Sequence, residues 1–257
     1  CPTRVTVRRP DWAWPAGSVR MCGFIGMASA EPLDDSARSA LPKLTGLLSR
    51  RGPDDEGEWS DAHAAFGFRR LAVIDLSPAG HQPMQSADGR WILVFNGEVY
   101  NYRELRNDLV ASGASFRSNS DTEVVLQALI HWGQEALNRL NGMFALALYD
   151  CEQRTVLLAR DPMGIKPLYW LEQAGRFVFS SQYDAVVRHP WCERQRLRPD
   201  VAALYLRFGY VPAPYGLVEQ TGQVPAGSVM KWSADHGAVV GKYVSWQEPP
   251  DRYLEPA

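Results

Sequence analysis

Strand-length segments dominate the middle of this chain, and they limit its possible folds more than any other feature of the sequence. The clearest are rich in aliphatic or aromatic residues and cover residues 91–94, 144–149, 156–159 and 177–180. The last three follow one another without a helical pattern between them, which argues against a strict βαβ alternation. We therefore predict an α+β domain with antiparallel sheets, and not a Rossmann-type parallel sheet.

Two segments with helical periodicity, Tyr102–Ala111 and Asp121–Trp132, lie between the first and second of these strands. The second has a start signal, because Ser120 and Glu123 stand at the spacing of a capping box. Asp121 falls in the first turn, where the helix dipole favours a negative charge. We expect this helix to begin at Ser120.

The flanking regions carry weaker patterns. Residues 41–50 are helix-like, and Gly52-Pro53 after them predicts a sharp turn. The last quarter of the chain is punctuated by Pro and Gly, with strand-like pieces at 228–232 and 242–246. We predict that it forms a connecting or edge region.

Composition excludes several classes of function. The 257 residues are 46% hydrophobic, which suffices for one sizeable core or two modest ones. The chain has 27 Lys and Arg against 29 Asp and Glu, a formal net charge of -2, so we expect no nucleic acid partner. No apolar run reaches the length of a membrane span, so we expect no membrane partner and a cytoplasmic location.

The four cysteines, Cys1, Cys22, Cys151 and Cys192, are widely scattered. They form no CxxC pair and have no nearby His at metal-ligand spacing, so we expect no metal site. Nothing at the start of the chain resembles a secretory signal, which favours reduced thiols in a cytosol.

The first 20 residues differ in texture from the rest. They begin without Met and mix Arg, Pro and Trp without a period, and then Met21 opens an apolar, strand-like run. We interpret residues 1–20 as a non-domain leader, left by a misassigned start or by an expression vector. The predicted domain covers residues 21–246, and the Pro-rich residues 247–257 read as the start of a linker.

Cys22 is the candidate nucleophile. Removal of Met21 as an initiator would leave a thiol and a free α-amino group on one residue, and thus a nucleophile with its own base. An α-amino group titrates near ~7.7–8.0, so much of it is neutral at cytosolic pH. The alternative for an isolated cysteine is a buried strand residue.

Six motifs give this position more weight. They are MCGFIG at 21–26, RGPD at 51–54, RLAVID at 70–75, FNGEVYN at 95–101, SDTE at 120–123 and RDPMGIKPLY at 160–169. In this order they resemble the N-terminal class II glutamine amidotransferase domain of asparagine synthases. The NGEVYN version resembles asparagine synthases more than the purine or glucosamine-phosphate enzymes.

The resemblance implies a fold and an activity. The fold is that of an N-terminal-nucleophile (Ntn) hydrolase, an αββα sandwich of two antiparallel sheets between helices. The activity is hydrolysis of L-glutamine to glutamate and ammonia through a thioester at Cys22. In asparagine synthases the ammonia serves the ATP-dependent amidation of aspartate to asparagine.

The resemblance also assigns roles in catalysis. Attack by Cys22 creates an oxyanion, which the side-chain amide of Asn96 and the backbone amide of Gly97 would stabilise. An Asn-Gly pair outside such a motif is more often a hairpin turn. For the substrate, Arg70 would bind the α-carboxylate of glutamine, Asp121 its α-ammonium, and Glu98 its polar end.

Five further residues of the motifs are expected to be structural. Arg51 and Asp54 would build the wall around the nucleophile. The charges of Arg160, Asp161 and Lys166 would serve a buried ion pair or the contact with a partner domain, and not catalysis.

No glycine-rich phosphate loop occurs in the sequence, so we expect no cofactor in this chain. ATP and Mg are expected only in a missing synthetase domain, which with L-glutamine is the predicted partner. A homodimer is left open. Activity requires Cys22 as the N-terminal residue, so one alternative is a non-catalytic glutamine-binding or interaction module of the same fold. Another is the glutaminase domain of a related enzyme with a different ammonia acceptor.

Overall fold

Two six-stranded sheets lie face to face in this computed structural model, and helices cover both outer surfaces. The structure describes residues 21–75, 77–193 and 196–244. The predicted leader, residues 1–20, and the predicted linker start, residues 247–257, lie outside these ranges. The helix-sheet-sheet-helix order confirms the predicted α+β sandwich.

The strands of the described residues share one antiparallel pattern. In chain order they are β1 (Gly23–Ser29), β2 (Asp55–Ser60), β3 (Ala64–Arg70), β4 (Met84–Gln85), β5 (Trp91–Val99), β6 (Gly142–Asp150), β7 (Thr155–Arg160), β8 (Tyr169–Gln173), β9 (Arg176–Ser180), β10 (Thr221–Gln223), β11 (Ser228–Ser233) and β12 (Gly237–Lys242). The first sheet has the order β10-β8-β9-β1-β3-β2, and the second has the order β12-β11-β7-β6-β5-β4. Every pair of neighbours is antiparallel.

The helices divide between the two outer faces. They are α1 (Asp35–Leu47), α2 (Tyr102–Ala111), α3 (Asp121–Trp132), α4 (Ala136–Arg139), α5 (Tyr183–Val187) and α6 (Pro199–Phe208). Buried residues of α1 and α5 pack against the first sheet, and those of α2, α3 and α4 pack against the second. A third apolar cluster fills the space between the sheets.

Strand β1 shows why the central strands lack polar positions. All seven of its residues are buried. Successive side chains point to opposite faces, so Phe24 and Ala28 enter the cluster between the sheets while Ile25 and Met27 pack with the α1 side. A strand buried on both faces reads as a continuous apolar run, and this strand therefore shows no alternation in sequence.

The start of α3 agrees only in part with the predicted capping box. The hydroxyl of Ser120 accepts a hydrogen bond from the amide of Thr122 at 3.0 Å, so Ser120 is the N-cap. The carboxylate of Glu123 does not return to Ser120. It accepts from the amides of Arg117, at 2.8 Å, and Ser118, at 2.6 Å, and so closes the loop before the helix.

Three other boundaries differ from the sequence interpretation. The helix expected at 41–50 is α1, which begins earlier because the Asp34 carboxylate caps it through the amide of Ala37 at 2.8 Å. Of the strand piece expected at 242–246, Lys242 is the final residue of β12, residues 243–244 lie outside the strand, and residues 245–246 are not among the described residues. Helix α6 was not predicted, although Pro199 in its first turn and Gly209 in a left-handed conformation after it are typical start and stop signals.

Two further findings concern membrane-spanning helices and the state of the cysteines. No helix among the described residues is long and apolar enough to cross a bilayer. Cys22, Cys151 and Cys192 are free thiols, and Cys1 lies outside the described ranges.

We expect Phe66→Ala, a large-to-small substitution in the cluster between the sheets, to lower the stability of the protein strongly. Phe66 is fully buried, and its ring lies 5.7 Å from that of Trp59, 5.8 Å from that of Tyr149 and 5.4 Å from that of Phe179. Such a truncation lowers the free energy of unfolding by about 3–5 kcal/mol. Denaturant unfolding measures it, with Val110→Ala on the exposed face of α2 as the control. A loss for Phe66→Ala no larger than that of the control contradicts the central role of this cluster.

Candidate active site

The six residues predicted to act in catalysis or glutamine binding line a single cavity of about 90 Å³. They come from separate parts of the chain, before β1, at the end of β3, within β5 and at the start of α3, and are Cys22, Arg70, Asn96, Gly97, Glu98 and Asp121. Arg51 and Asp54 do not line this cavity. The fold thus brings together residues of different motifs that lie up to about a hundred positions apart in the sequence.

The cavity lies at the end of the apolar cluster between the sheets. Cys22 stands two residues before Phe24 and packs against that cluster. On β5, Ile92 and Val94 belong to the same cluster, and the alternation of side chains places Asn96 on the same face. Both residues therefore extend the inward faces of their strands to the point where the apolar side chains end.

The thiol of Cys22 is half-buried and contacts one backbone segment, the residue that follows β3. Its Sγ accepts a hydrogen bond from the Leu71 amide at 3.3 Å and lies 3.4 Å from the Leu71 carbonyl oxygen. Burial raises the pKa of the thiol, while the bond from Leu71 and the charges of Arg70 and Lys166 lower it. Without these opposing groups the neutral thiol would be favoured still more.

Asn96 carries a polar group without a partner. The residue is 1% exposed, and its Nδ2 is buried without a hydrogen bond to any described residue. An unsatisfied buried donor costs roughly 1–3 kcal/mol, so native proteins keep few of them. In a residue that lines a cavity, such a donor is available to a ligand.

The alternative that Asn96-Gly97 forms a hairpin turn is wrong. Both residues lie within β5, where Asn96 pairs with Ala145 and Gly97 with Phe144 of β6. A Cβ on Gly97 would lie 2.3 Å from the carbonyl oxygen of Met143. The glycine is therefore required by the close approach of β6, and not by a turn.

Arg70 is held by the loop that follows it. This residue is buried, and its Nη1 donates to the carbonyl oxygen of Ser77 at 3.0 Å, while Nη2 donates to that of Asp75. Gly80 lies against the same guanidinium, since a Cβ there would be 2.2 Å from Nη2. The loop fixes the orientation of the arginine, which also lines the cavity.

Two carboxylates line the same cavity. Asp121 is buried at the start of α3, where its Oδ2 accepts from the amide of Val99 at 3.1 Å. Burial and, to a smaller extent, the charge of the half-buried Glu98 raise the pKa of Asp121 to about 6. A cation bound beside Asp121 would oppose both effects and keep the carboxylate ionised.

Arg51 and Asp54 hold the backbone around Cys22. The Nε of Arg51 donates to the carbonyl oxygen of Cys22 at 3.2 Å, and the Arg51 carbonyl oxygen accepts from the amide of Met21 at 3.0 Å. The carboxylate of Asp54 accepts from the amide of Ala72 at 2.9 Å. Together they fix the residues on either side of the thiol and the loop above it.

The predicted ion pair of the RDPMGIK motif does not form between Arg160 and Asp161 in the described part of the chain. The Asp161 carboxylate accepts from the amides of Phe144, Met163, Ile165 and Lys166 at 2.9–3.3 Å. The Arg160 guanidinium donates to the carbonyl oxygens of Gly164, Lys166 and Val224 and to the side-chain oxygen of Gln223. Backbone groups use these charges instead, because the tight loop exposes many amides and carbonyls to them.

Sequence reasoning missed two cavity residues that bear on chemistry or packing. Lys166 lines the cavity although no catalytic role was expected for it. Gln82 joins β5 to α3, since its Oε1 accepts from the Phe95 amide at 2.6 Å and its Nε2 donates to the Thr122 hydroxyl at 3.3 Å. No local pattern marks Gln82, and the motif that contains Lys166 does not indicate its place in the cavity, because both roles arise from contacts between distant segments.

Comparison with known proteins adds to this geometry. The chain is 37% identical over 212 residues to asparagine synthetase [glutamine-hydrolyzing] 1 of Bacillus subtilis (strain 168), covering 81% of this chain and 33% of that protein. It is 33% identical over 196 residues to asparagine synthetase B [glutamine-hydrolyzing] of Escherichia coli (strain K12), covering 76% and 35%. These matches confirm the resemblance seen in the motifs. The chain spans about a third of the length of these curated relatives.

Solved structures support the fold. The glutamine phosphoribosylpyrophosphate amidotransferase of B. subtilis superposes with a TM-score of 0.58 at 18% identity, over 87% of this chain and 49% of that one. At such low identity the likeness shows the fold alone, and the predicted sandwich of two antiparallel sheets between helices is confirmed. The sequence profile described as "Glutamine amidotransferase domain" matches residues 21–244, so the chain belongs to the glutamine amidotransferase domain family.

Proposed function

We propose that this chain hydrolyses L-glutamine to glutamate and ammonia. The observation that carries the proposal is the buried, unpartnered Nδ2 of Asn96 in one cavity with the thiol of Cys22. A nucleophile next to an unused donor is the pair of groups that acyl transfer requires. Membership of the glutamine amidotransferase family supports glutamine as the substrate.

In the proposed reaction the thiolate of Cys22 attacks the side-chain amide carbon of glutamine. The carbonyl electrons move to oxygen, and Asn96 Nδ2 with the backbone N–H of Gly97 stabilises this oxyanion. Its collapse breaks the C–N bond, and the nitrogen leaves as ammonia after it takes a proton. Water then attacks the thioester, releases glutamate and returns the thiol.

Recognition of glutamine follows from the charges around the cavity. Arg70, oriented by its own loop, offers a fork of donors for the α-carboxylate. Asp121 and Glu98 supply negative charge for the α-ammonium. The raised pKa of Asp121 supports this role, since a bound ammonium would favour the ionised form of that carboxylate.

The base in this proposal is the α-amino group of Cys22 after loss of the residues before it. In the 257-residue chain Met21 itself lines the cavity, and its amide is bonded to the carbonyl oxygen of Arg51. This observation also supports a second candidate, a glutamine-binding module that does not turn over while Met21 is present. Exposure of Cys22 distinguishes the two.

The use of the ammonia is part of the proposal. The relatives are named as glutamine-hydrolysing asparagine synthetases, and this chain corresponds to about a third of them. We propose that it supplies ammonia for the ATP-dependent amidation of aspartate or a related carboxylate. ATP and Mg would be bound by the part of the relatives that this chain does not match.

Exposure of Cys22 should control activity. We expect a chain that begins at Met21 and is processed to Cys22 to hydrolyse glutamine, and the 257-residue form to be at least a hundredfold slower. In the longer form the α-nitrogen of Cys22 is part of a peptide bond and is not basic. The preceding residue also occupies space beside the thiol. Glutamate release together with intact mass measures both forms. Equal turnover by the two forms would remove the α-amine from the mechanism.

Asn96→Ala should lower turnover without lowering stability. Loss of one oxyanion donor costs about 2.7–4 kcal/mol, a fall of roughly a hundred- to a thousandfold in kcat with little change in KM. The melting temperature should hold or rise, because the variant removes an unsatisfied buried donor. Gln82→Ala is the control, since its amide is bonded and its loss should lower the melting temperature. A near-normal kcat for Asn96→Ala would end the assignment.

Glutamine affinity should depend on the ionisation of Asp121. The pKa of this carboxyl in the free protein is raised to about 6, so it must lose a proton to pair with the α-ammonium, and affinity should rise as pH increases from 5 to 7. Well below pH 6 the change approaches about tenfold per pH unit. Calorimetry on Cys22→Ala, which should still bind glutamine, gives the profile. Asp121→Asn in the same background should bind weakly and without this slope, and an unchanged slope would contradict the assignment.

A further inference from the structure

Lys166 lines the cavity with a buried positive charge, and the proposed mechanism assigns no role to this charge. The residue is 6% exposed, and its Nζ lies 3.2 Å from the thioether sulfur of Met21. A thioether is a weak, neutral acceptor. Within residues 21–75, 77–193 and 196–244 this ammonium has no carboxylate at ion-pair distance. A buried cation without an anion is costly, so its position calls for a functional reason.

The loop before Lys166 fixes the backbone from which the lysine side chain extends. Its backbone amide donates to Asp161 Oδ2 at 2.9 Å, and its carbonyl oxygen accepts from Arg160 Nε at 2.8 Å. The same two side chains bind Gly164 and Ile165. Arg160 and Asp161 of the RDPMGIK motif therefore stabilise a loop through hydrogen bonds to its backbone. The loop ends at Lys166, which lines the cavity.

Among the ionisable groups near Lys166, Cys22 is one that the lysine charge can stabilise in its ionised form. Asp161 is occupied by backbone amides, and Glu98 acts on Lys166 without an ion-pair contact among the described residues. Arg51, also near, repels the lysine charge. Cys22 in its ionised form attracts the ammonium, as Glu98 does.

The cations that face Cys22 differ in how they are occupied. The guanidinium of Arg70 donates to the carbonyl oxygens of Ser77 and Asp75. The Nε of Arg51 donates to the backbone of Cys22 itself, while its buried Nη2 has no partner among the described residues. Asp121 faces the thiol with the opposite sign and disfavours its ionisation. The ammonium of Lys166 contacts the sulfur of Met21, a weak acceptor, and is therefore available to a nearby anion.

We infer that Lys166 is a positioning residue whose charge favours the thiolate form of Cys22. The thiol proton passes to the α-amine or to water, and the ammonium, which extends from a fixed backbone, stabilises the negative sulfur that remains. Burial raises the pKa of the thiol, and the hydrogen bond from Leu71, the charge of Arg70 and the charge of Lys166 oppose that rise. The consequence for turnover rests on the proposed glutaminase function, whereas the effect on the thiol does not.

The test measures the thiol without glutamine. In the 257-residue chain, the rate of alkylation of Cys22 by iodoacetamide is followed from pH 6 to pH 11, and the peptide that carries Cys22 is quantified by mass spectrometry. We expect Lys166→Met to move the midpoint of the profile upward by about one pH unit, with roughly tenfold slower alkylation at pH 7. Lys166→Arg, which keeps the charge, should restore the normal midpoint.

Controls separate this effect from a structural one. Lys43→Met removes an exposed charge from α1 and should leave the profile unchanged. Melting temperatures identify folded variants, and Lys166→Gln replaces Lys166→Met if the latter does not fold. A folded neutral variant with the normal midpoint overturns the inference, whether or not the chain hydrolyses glutamine. A raised midpoint supports it even if glutamate release proves absent, in which case only the proposed function fails.

Discussion

The apolar cluster between the two sheets is the interaction on which the candidate site depends. Phe24 on β1 and Val94 on β5 both belong to it, and each stands two residues from a cavity residue, Cys22 and Asn96 respectively. Because side chains alternate along a strand, packing Phe24 and Val94 inward directs Cys22 and Asn96 inward as well. The thiol of Cys22 and the unpartnered amide of Asn96 therefore line the same cavity although no hydrogen bond joins them.

Polar groups at the edge of this cluster are held in states that water would not favour. Asn96 keeps a donor without a partner, Asp121 has a raised pKa, and Lys166 is a buried cation beside a thioether. Each is unfavourable for the folded protein taken alone. Their concentration around one thiol is the pattern expected where a ligand, and not another part of the fold, completes the interactions.

The rest of the molecule supplies the rigidity that such a site needs. Arg51 and Asp54 bind the backbone next to Cys22 and the loop above it. Asp161 and Arg160 close the loop that ends at Lys166. In each case a charged side chain binds backbone groups, so charges that resemble catalytic ones in sequence fix the positions of others.

Local patterns and motifs in the sequence were sufficient for strands β5, β6, β7, β9 and β11, for helices α2 and α3, and for six of the residues that line the cavity, Cys22 among them. These depend on side-chain periodicity and on short motifs, which a single segment carries. The exact start of α1 depends on the Asp34 cap, and the partners of Glu123 lie in the loop before α3. Only the tertiary structure decided that Asn96 lies within a strand with an unused donor, and that Lys166 reaches a sulfur 145 residues away in sequence. Those features depend on which distant segments pack together, and no local pattern in the sequence specifies that packing.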